Sequence, residues 1–145
     1  MPTVLDILAI KGKDVYTIPA YATVLEATIV MNERRIGCLM VMDDDQLVGI
    51  FTERDVLRRV VARDLPAAII RVEQVMTRQV ICCPPTMDLD EASQIMRDQR
   101  IRHLPVCGSK GQLLGIISIG DLNAYHASNQ EAQINFLHDY VFGRV

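Results

Sequence analysis

Two short motifs place a hydroxyl and a carboxylate at the same spacing, Gly49-Ile50-Phe51-Thr52-Glu53-Arg54-Asp55 and Gly115-Ile116-Ile117-Ser118-Ile119-Gly120-Asp121. Because three residues make almost one helical turn, the hydroxyl and the carboxylate share one face of a helix. A carboxylate only accepts hydrogen bonds, so it suits two neighbouring hydroxyls of a ribose. The Thr or Ser hydroxyl and the free amides at a helix N-terminus suit a phosphate. Together, the groups of each motif could hold a ribose phosphate.

The same residues also have a purely structural interpretation. Thr52 and Ser118 are good helix-capping residues, and each Asp lies where it can reach back to the cap. One copy of the motif alone would favour capping. Its repetition with identical spacing favours binding, and the two roles are compatible.

The motifs belong to a repeat that covers most of the chain. A shift of 65 residues aligns the two halves, and one extra residue near Lys110 changes the shift to 66. Matched positions include Val15 with Val80, Pro19 with Pro84, Met31 with Met96 and Val41 with Val106. We assign residues 1–63 to the first repeat with a lead-in helix, 64–71 to a linker, 72–128 to the second repeat and 129–145 to a helical extension.

Each repeat has the pattern β-α-β-β-α. Residues 14–18 and 79–83 read as strands, and the capping signatures Thr23-x-x-Glu26 and Asp88-x-x-Glu91 each start a helix. Two strands with a polar turn follow, and a second helix closes the repeat, near residues 53–63 and from about Asp121. One repeat alone is short for a stable core. We therefore expect an α+β fold in which the two sheets pack with pseudo-twofold symmetry around a cleft.

Composition excludes several classes of protein. The net charge is −3, which does not favour a nucleic-acid binder. No run of about 18 apolar residues predicts a membrane span, and the first residues lack the basic region of a secretory signal. We expect a cytoplasmic protein without nucleic-acid or membrane partners. The cysteines lack metal-ligand spacing and no catalytic motif is present, so we expect no metal, no catalytic cofactor and no enzyme activity.

The repeats resemble CBS domains, and the pair resembles a Bateman module. The resemblance rests on the two motifs above, on Ile101-Arg102-His103-Leu104-Pro105-Val106, and on Leu47-Val48-Gly49-Ile50. It implies a regulatory module that binds an adenosine ligand such as AMP, ADP, ATP, NAD or S-adenosylmethionine and signals to an effector protein. It also implies a homodimer.

The resemblance assigns roles to individual residues. Asp55 and Asp121 would hold the ribose. The phosphate would face Thr52, Ser118, Arg54, Arg102 and His103. The adenine would lie between strand residues, namely Thr17, Ile18, Leu39, Met40, Ile81, Cys82, Leu104 and Pro105. The first repeat has Gly37-Cys38 where the second has Arg102-His103, so equal occupancy of the two pockets is in doubt.

Several interpretations stay open at this point. Arg54 could be an exposed helical arginine, and His103 could be structural. The apolar tail could cover its own module or a second chain; it carries Ile134, Phe136, Leu137, Tyr140, Val141 and Phe142. The alternative function is a redox-linked interaction module, suggested by four cysteines and by plant members of the family that are tied to thioredoxin systems. That alternative needs an exposed thiol of low pKa.

Overall fold

The order of helices and strands repeats once along the chain. This computed structural model describes residues 1–12 and 14–141, with side chains in the last helix up to Gln130 and at Ile134. The first half contains α1 (Val4–Lys11), β1 (Thr17–Pro19), α2 (Val24–Arg34), β2 (Cys38–Asp43), β3 (Gln46–Thr52) and α3 (Glu53–Asp55), which continues as a π-helical segment, Val56–Val61. The second half contains α4 (Val72–Val75), α5 (Leu89–Gln99), β4 (His103–Cys107), β5 (Leu113–Ser118) and α6 (Ile119–Val141).

The first long helix of each half begins at a predicted cap. Thr23 accepts a hydrogen bond of 3.1 Å from the Glu26 amide, and the Glu26 carboxylate accepts from the Thr23 amide, so this capping box is confirmed. In the second half the predicted reciprocal partner is wrong. The Asp88 carboxylate accepts from the Asp90 amide at 2.7 Å, one residue earlier than expected.

Each half forms a small sheet with an antiparallel hairpin. β2 pairs with β3 and β4 pairs with β5, and both hairpins contain a bulge at the matched positions Val41/Met42 and Val106/Cys107. In the first hairpin Asp44 and Asp45 both have positive φ, which is the conformation of a tight two-residue turn. The predicted polar turns therefore connect the predicted strands.

The initial strands of the two halves differ. β1 pairs in parallel with β2 over three residues, whereas residues 79–83 contribute only an isolated bridge between Cys83 and Val106. The reason lies in Pro105. In the first half the Met40 amide donates to the Tyr16 carbonyl oxygen at 3.0 Å, and Met40 is matched by Pro105, which has no amide hydrogen to donate.

The lead-in segments are exchanged between the two cores. Val4, Ile7 and Leu8 pack in the core of the second half, with Cys83, Leu89, Leu104 and Ile117. The segment from Val72 to Met76 packs in the core of the first half, with Val24, Leu39 and Phe51. Each half therefore completes its apolar core with residues from the other half of the sequence.

Matched hydrogen bonds show that the exchange is symmetric. The Val4 amide donates to the Met87 carbonyl oxygen at 2.9 Å, and the Val72 amide donates to the Ala22 carbonyl oxygen at 2.8 Å. Likewise, the Leu5 amide donates to Pro85 at 3.0 Å and the Glu73 amide donates to Ala20 at 3.1 Å. These equivalent contacts relate the halves by a pseudo-twofold axis, and the prediction of an α+β fold with two repeats is confirmed.

The last helix continues beyond the second repeat. α6 runs to Val141, and the Ile134 side chain is exposed. The side chains of Phe136, Leu137, Tyr140 and Val141, and all of Phe142, lie outside the described residues, so what the tail covers stays a prediction. Within the described part of the chain, no helix has both the length and the apolar character needed to cross a bilayer.

Candidate functional site

The two motifs form equivalent junctions between a strand and a helix. The Thr52 amide donates to Asp55 Oδ2 at 3.1 Å, and the Asp55 amide donates to Thr52 Oγ1 at 3.2 Å. The Ser118 amide donates to Asp121 Oδ2 at 2.8 Å, and the Asp121 amide donates to Ser118 Oγ at 3.1 Å. The interpretation of these residues as helix caps is therefore confirmed. Binding by the same groups needs acceptor capacity that capping leaves free.

The Asp55 carboxylate uses its acceptor capacity within the chain. Its side chain is 6% exposed. The Thr77 hydroxyl lies 3.1 Å from Oδ1 and 3.2 Å from Oδ2, and Arg59 Nε lies 3.6 Å from Oδ1. Together with the cap, these contacts surround the carboxylate, so a ligand could reach it only by displacing donors of the chain itself.

The Asp121 carboxylate is more accessible and is paired with a cation. Its side chain is 25% exposed, and Lys11 Nζ lies 2.6 Å from Oδ2 while also donating to the Ile116 carbonyl oxygen at 2.9 Å. Burial alone would raise the pKa of Asp121, but the hydrogen bonds from Lys11 and Ser118 outweigh it and hold the pKa below its usual value. The carboxylate is therefore ionised at neutral pH.

Cys38 and His103 occupy matched positions beside these junctions. In strand register Cys38 lies opposite Thr52 and His103 lies opposite Ser118. Burial raises the pKa of the Cys38 thiol to about 11, with smaller opposing effects from Lys11 and Glu53. Both of those charges also act on His103. Lys11 and Glu53 therefore lie near both repeats, and the two junctions face a shared space.

His103 is held mainly in its neutral form. Burial lowers the pKa of its imidazole, and the positive charges of Arg102 and Lys11 lower the pKa further, while Asp121 and Glu53 oppose them. A neutral imidazole keeps one nitrogen as an acceptor and one as a donor. A phosphate bound nearby would favour the protonated form.

We expect His103 to make the free energy of unfolding depend on pH. Its pKa is lowered in the folded protein and ordinary, about 6.5, in the unfolded chain, so the unfolded chain binds the proton first as pH falls. Stability should therefore decrease as pH is lowered from 7.5 through 6.5 toward 5. Asp121 acts in a separate window, below its ordinary pKa of 3.8. Urea unfolding across this range should show a smaller decrease in the His103→Asn variant, and an equal decrease in both proteins would contradict the assignment.

Two cavities lie next to the junctions. One, of about 380 Å³, lies between α1 and α6 and is lined by Ile7, Lys11, Asp121 and Tyr125 among others. The other, of about 440 Å³, lies between the end of α2 and the start of α3, beside Arg35 and Glu53. Both are within the size range of small-molecule sites. Of the predicted site residues, Asp121 alone lines either cavity.

The predicted adenine residues lie on the strands but differ in access. Ile18, Leu39, Met40, Leu104 and Pro105 are buried, Ile81 is half-buried, and Thr17 and Cys82 are exposed. Arg54 and Arg102 are exposed, whereas Thr52, Ser118 and His103 are half-buried. The structure thus places the ribose and phosphate candidates around the junctions. Their roles in binding stay predictions.

Sequence reasoning missed three residues that contact the two carboxylates, Lys11, Arg59 and Thr77. Lys11 and Thr77 lie in or just after the lead-in segments, which follow a separation of their own, 68 residues from Val4 to Val72. That separation pairs Lys11 with Gln79 and Ala9 with Thr77, so the two junctions receive different side chains. The mismatch was visible in the sequence. Its meaning depended on the exchange of the lead-in segments.

Comparisons with known proteins agree with this architecture. A sequence profile of the family described as CBS domain matches residues 6–62 and 72–127. The CBS domain-containing protein YhcV of Bacillus subtilis is 32% identical over 118 residues, which cover 81% of this chain and 83% of that protein. A protein with CBS domains from Burkholderia ambifaria MC40-6 has a TM-score of 0.85 at 40% identity, covering 89% of this chain and 96% of its own.

A further solved structure contains ligands, and other relatives are longer than this chain. The CBS domain pair of protein MJ0100, in complex with 5′-methylthioadenosine and S-adenosyl-L-methionine, has a TM-score of 0.78 at 25% identity, covering 89% of this chain and 98% of its own. The chain spans 65% of a 17.7 kDa protein from Acidianus ambivalens and 21% of an inosine-5′-monophosphate dehydrogenase from Thermoplasma acidophilum. Since the profile matches both repeats and the overall structure agrees, the chain belongs to the CBS-domain family and carries two copies of the domain.

Proposed function

We propose that the chain is a regulatory module that binds an adenosine nucleotide and signals to an effector protein, without chemistry of its own. The observation that carries the proposal is the accessible, ionised Asp121 carboxylate at the start of α6, next to Lys11 and the basic pair Arg102 and His103. A carboxylate beside cationic groups matches a ribose phosphate in both its hydroxyl and its anionic part. The adenosine ligands of the MJ0100 pair support this ligand class.

The pocket beside Asp121 is the better candidate of the two. Asp55 is already surrounded by Thr52, Thr77 and Arg59, and displacing these donors would leave buried groups without partners. At Asp121 a ligand needs to compete with Lys11, which is partly exposed and can turn toward a phosphate. We propose that the second junction binds first and more tightly.

The exchanged lead-in helix offers a route from ligand to partner. Lys11 belongs to α1, whereas Asp121 belongs to α6, so the ion pair joins opposite ends of the sequence. A ligand whose ribose takes over the carboxylate would release Lys11 and change how α1 and α6 pack. The ligand shifts this balance only by its different affinity for the two arrangements. The effector protein, the homodimer and the cytoplasmic location stay predictions.

Thermal unfolding with AMP, ADP, ATP, NAD, NADH and S-adenosylmethionine tests the ligand class, after removal of any ligand that copurifies. A ligand at 100 times its dissociation constant should raise the melting temperature by roughly 5–10 °C, because it adds about 2.7 kcal/mol to the folded state. GMP and GTP are controls for binding through phosphate alone. No shift with any adenosine ligand at millimolar concentration would favour the alternative function, a redox-linked interaction module.

A further inference from the structure

The edge of the second sheet holds its neighbouring segment by few hydrogen bonds. The Cys83 amide donates to the Pro105 carbonyl oxygen and the Cys107 amide donates to the Cys83 carbonyl oxygen, both at 2.9 Å. The next bond along this edge would need an amide hydrogen on Pro105, which proline lacks. The segment that contains Cys82 is therefore held less firmly than β1 in the first sheet.

Two thiols meet across this edge. Cys107 Sγ lies 3.0 Å from Cys82 Sγ and donates a hydrogen bond to it. Cys82 is exposed and Cys107 is half-buried, so a dissolved reagent can reach one sulfur while the other lies directly behind it. The other two cysteines differ, because Cys83 is buried and Cys38 lies in the first sheet.

We propose that Cys82 and Cys107 form a reversible intramolecular disulfide, driven by exchange with a small-molecule disulfide such as oxidised glutathione. The Cys82 thiolate attacks the oxidant, forming a mixed disulfide and releasing one thiolate. Cys107 then loses its proton and attacks the sulfur of Cys82, which releases the second thiolate. Two protein thiols become one disulfide, and the oxidant is reduced to two thiols. The inference does not rest on nucleotide binding.

The environment of the two sulfurs supports this order of attack. Burial raises the pKa of the Cys107 thiol to about 12, and its contact with Cys82 raises that pKa further. Cys107 therefore remains a thiol at neutral pH and serves as the resolving residue. Burial likewise raises the pKa of the Cys83 thiol to about 11, and this sulfur is inaccessible. Exposed Cys82 is thus the sulfur that meets the oxidant.

The disulfide would change how firmly the edge segment is attached. The bond closes the loop from Cys82 to Cys107, which contains α5 and most of β4. A crosslink of this kind removes freedom mainly from the unfolded chain. It would fix the segment beside the sheet at the place where Pro105 prevents pairing. Since Cys82 is also a predicted adenine residue, the oxidised module presents that pocket in one fixed arrangement.

The test is to equilibrate the reduced full-length chain in buffers of increasing ratio of oxidised to reduced glutathione. The wild type should lose two of its four free thiols and two hydrogen atoms in mass, and peptide mapping should join Cys82 to Cys107. Dithiothreitol should restore all four thiols. The oxidised protein should melt roughly 5–10 °C higher than the reduced protein.

Matched variants locate the bond. Cys38→Ser should still form the disulfide, whereas Cys107→Ser should stop at a glutathione adduct on Cys82 and Cys82→Ser should remain reduced. Four free thiols at every ratio, a crosslink between two chains, or a bond that includes Cys38 or Cys83 would overturn the proposal. Nucleotide binding can succeed or fail without affecting any of these results.

Discussion

Replacing Gly49 with alanine should lower the free energy of unfolding by about 3 kcal/mol, because a methyl group does not fit between β3 and the segment that crosses it. A Cβ at this position would overlap the Met76 sulfur and lie 2.9 Å from the Thr77 carbonyl oxygen. The backbone there cannot easily withdraw. Ile50 and Thr77 exchange two hydrogen bonds of 2.9 Å, which hold the Thr77 carbonyl in place.

Urea unfolding and melting temperature measure this effect, with a decrease of roughly 10 °C expected for Gly49→Ala. Gly120→Ala is the matched control, because its Cβ would lie 3.6 Å from Ser118 Oγ in ordinary contact. Gly115→Ala should fall between the two, since its closest neighbour, at 2.8 Å, is the end of the flexible Leu8 side chain. Wild-type stability in Gly49→Ala would show that Met76 does not cross the sheet where the structure places it.

The Asp121→Asn variant should bind the nucleotide roughly 10- to 100-fold more weakly than the wild type. A hydrogen bond to a charged group contributes about 1.5–3 kcal/mol, and each 1.4 kcal/mol changes affinity tenfold. The amide oxygen of asparagine can still accept from the Ser118 amide, so the cap should survive. The variant removes the negative charge and one acceptor, which are the groups proposed to hold the ribose hydroxyls.

Two companion variants separate this effect from simple loss of the ion pair. Lys11→Met also breaks the pair but keeps the carboxylate, so its effect should depend on the phosphate content of the ligand. Asp55→Asn should leave affinity nearly unchanged, because Asp55 is surrounded by Thr77 and Arg59. Calorimetric titration of the folded variants provides the measurement. Loss of binding in Asp55→Asn with wild-type affinity in Asp121→Asn would assign the ligand to the first junction instead.

The repeat and the caps could be predicted because they are local or periodic features. The shift of 65 residues aligned the hairpins, and even their bulges fall at matched positions. The spacing of Thr52 and Asp55 directly implied a hydrogen-bonded turn, as did that of Ser118 and Asp121. The helix after Thr52 was predicted as regular, but it continues as a π-helical segment from Val56 to Val61. Nothing in the local residue types distinguished these alternatives.

The contents of the two pockets could not be predicted because they depend on long-range packing. Lys11 reaches Asp121 across 110 positions, and Thr77 reaches Asp55 only because the second lead-in segment crosses the first sheet. A sequence repeat shows that two units are alike and leaves open which unit each helix packs against. The missing strand before Pro105 is different. The absent amide hydrogen of proline was visible in the sequence, and its effect followed from a single backbone bond.

The exchange of lead-in segments also determines the order in which the chain can fold during synthesis. Val4 emerges first from the ribosome, but its hydrogen-bond partner Met87 and its core neighbour Ile117 are made last. The first half must likewise wait for Val72 to Met76 before Phe51 and Leu39 are fully covered. Contacts between distant parts of a chain form slowly. The nascent chain therefore carries an unfinished apolar core until almost the whole sequence has been translated.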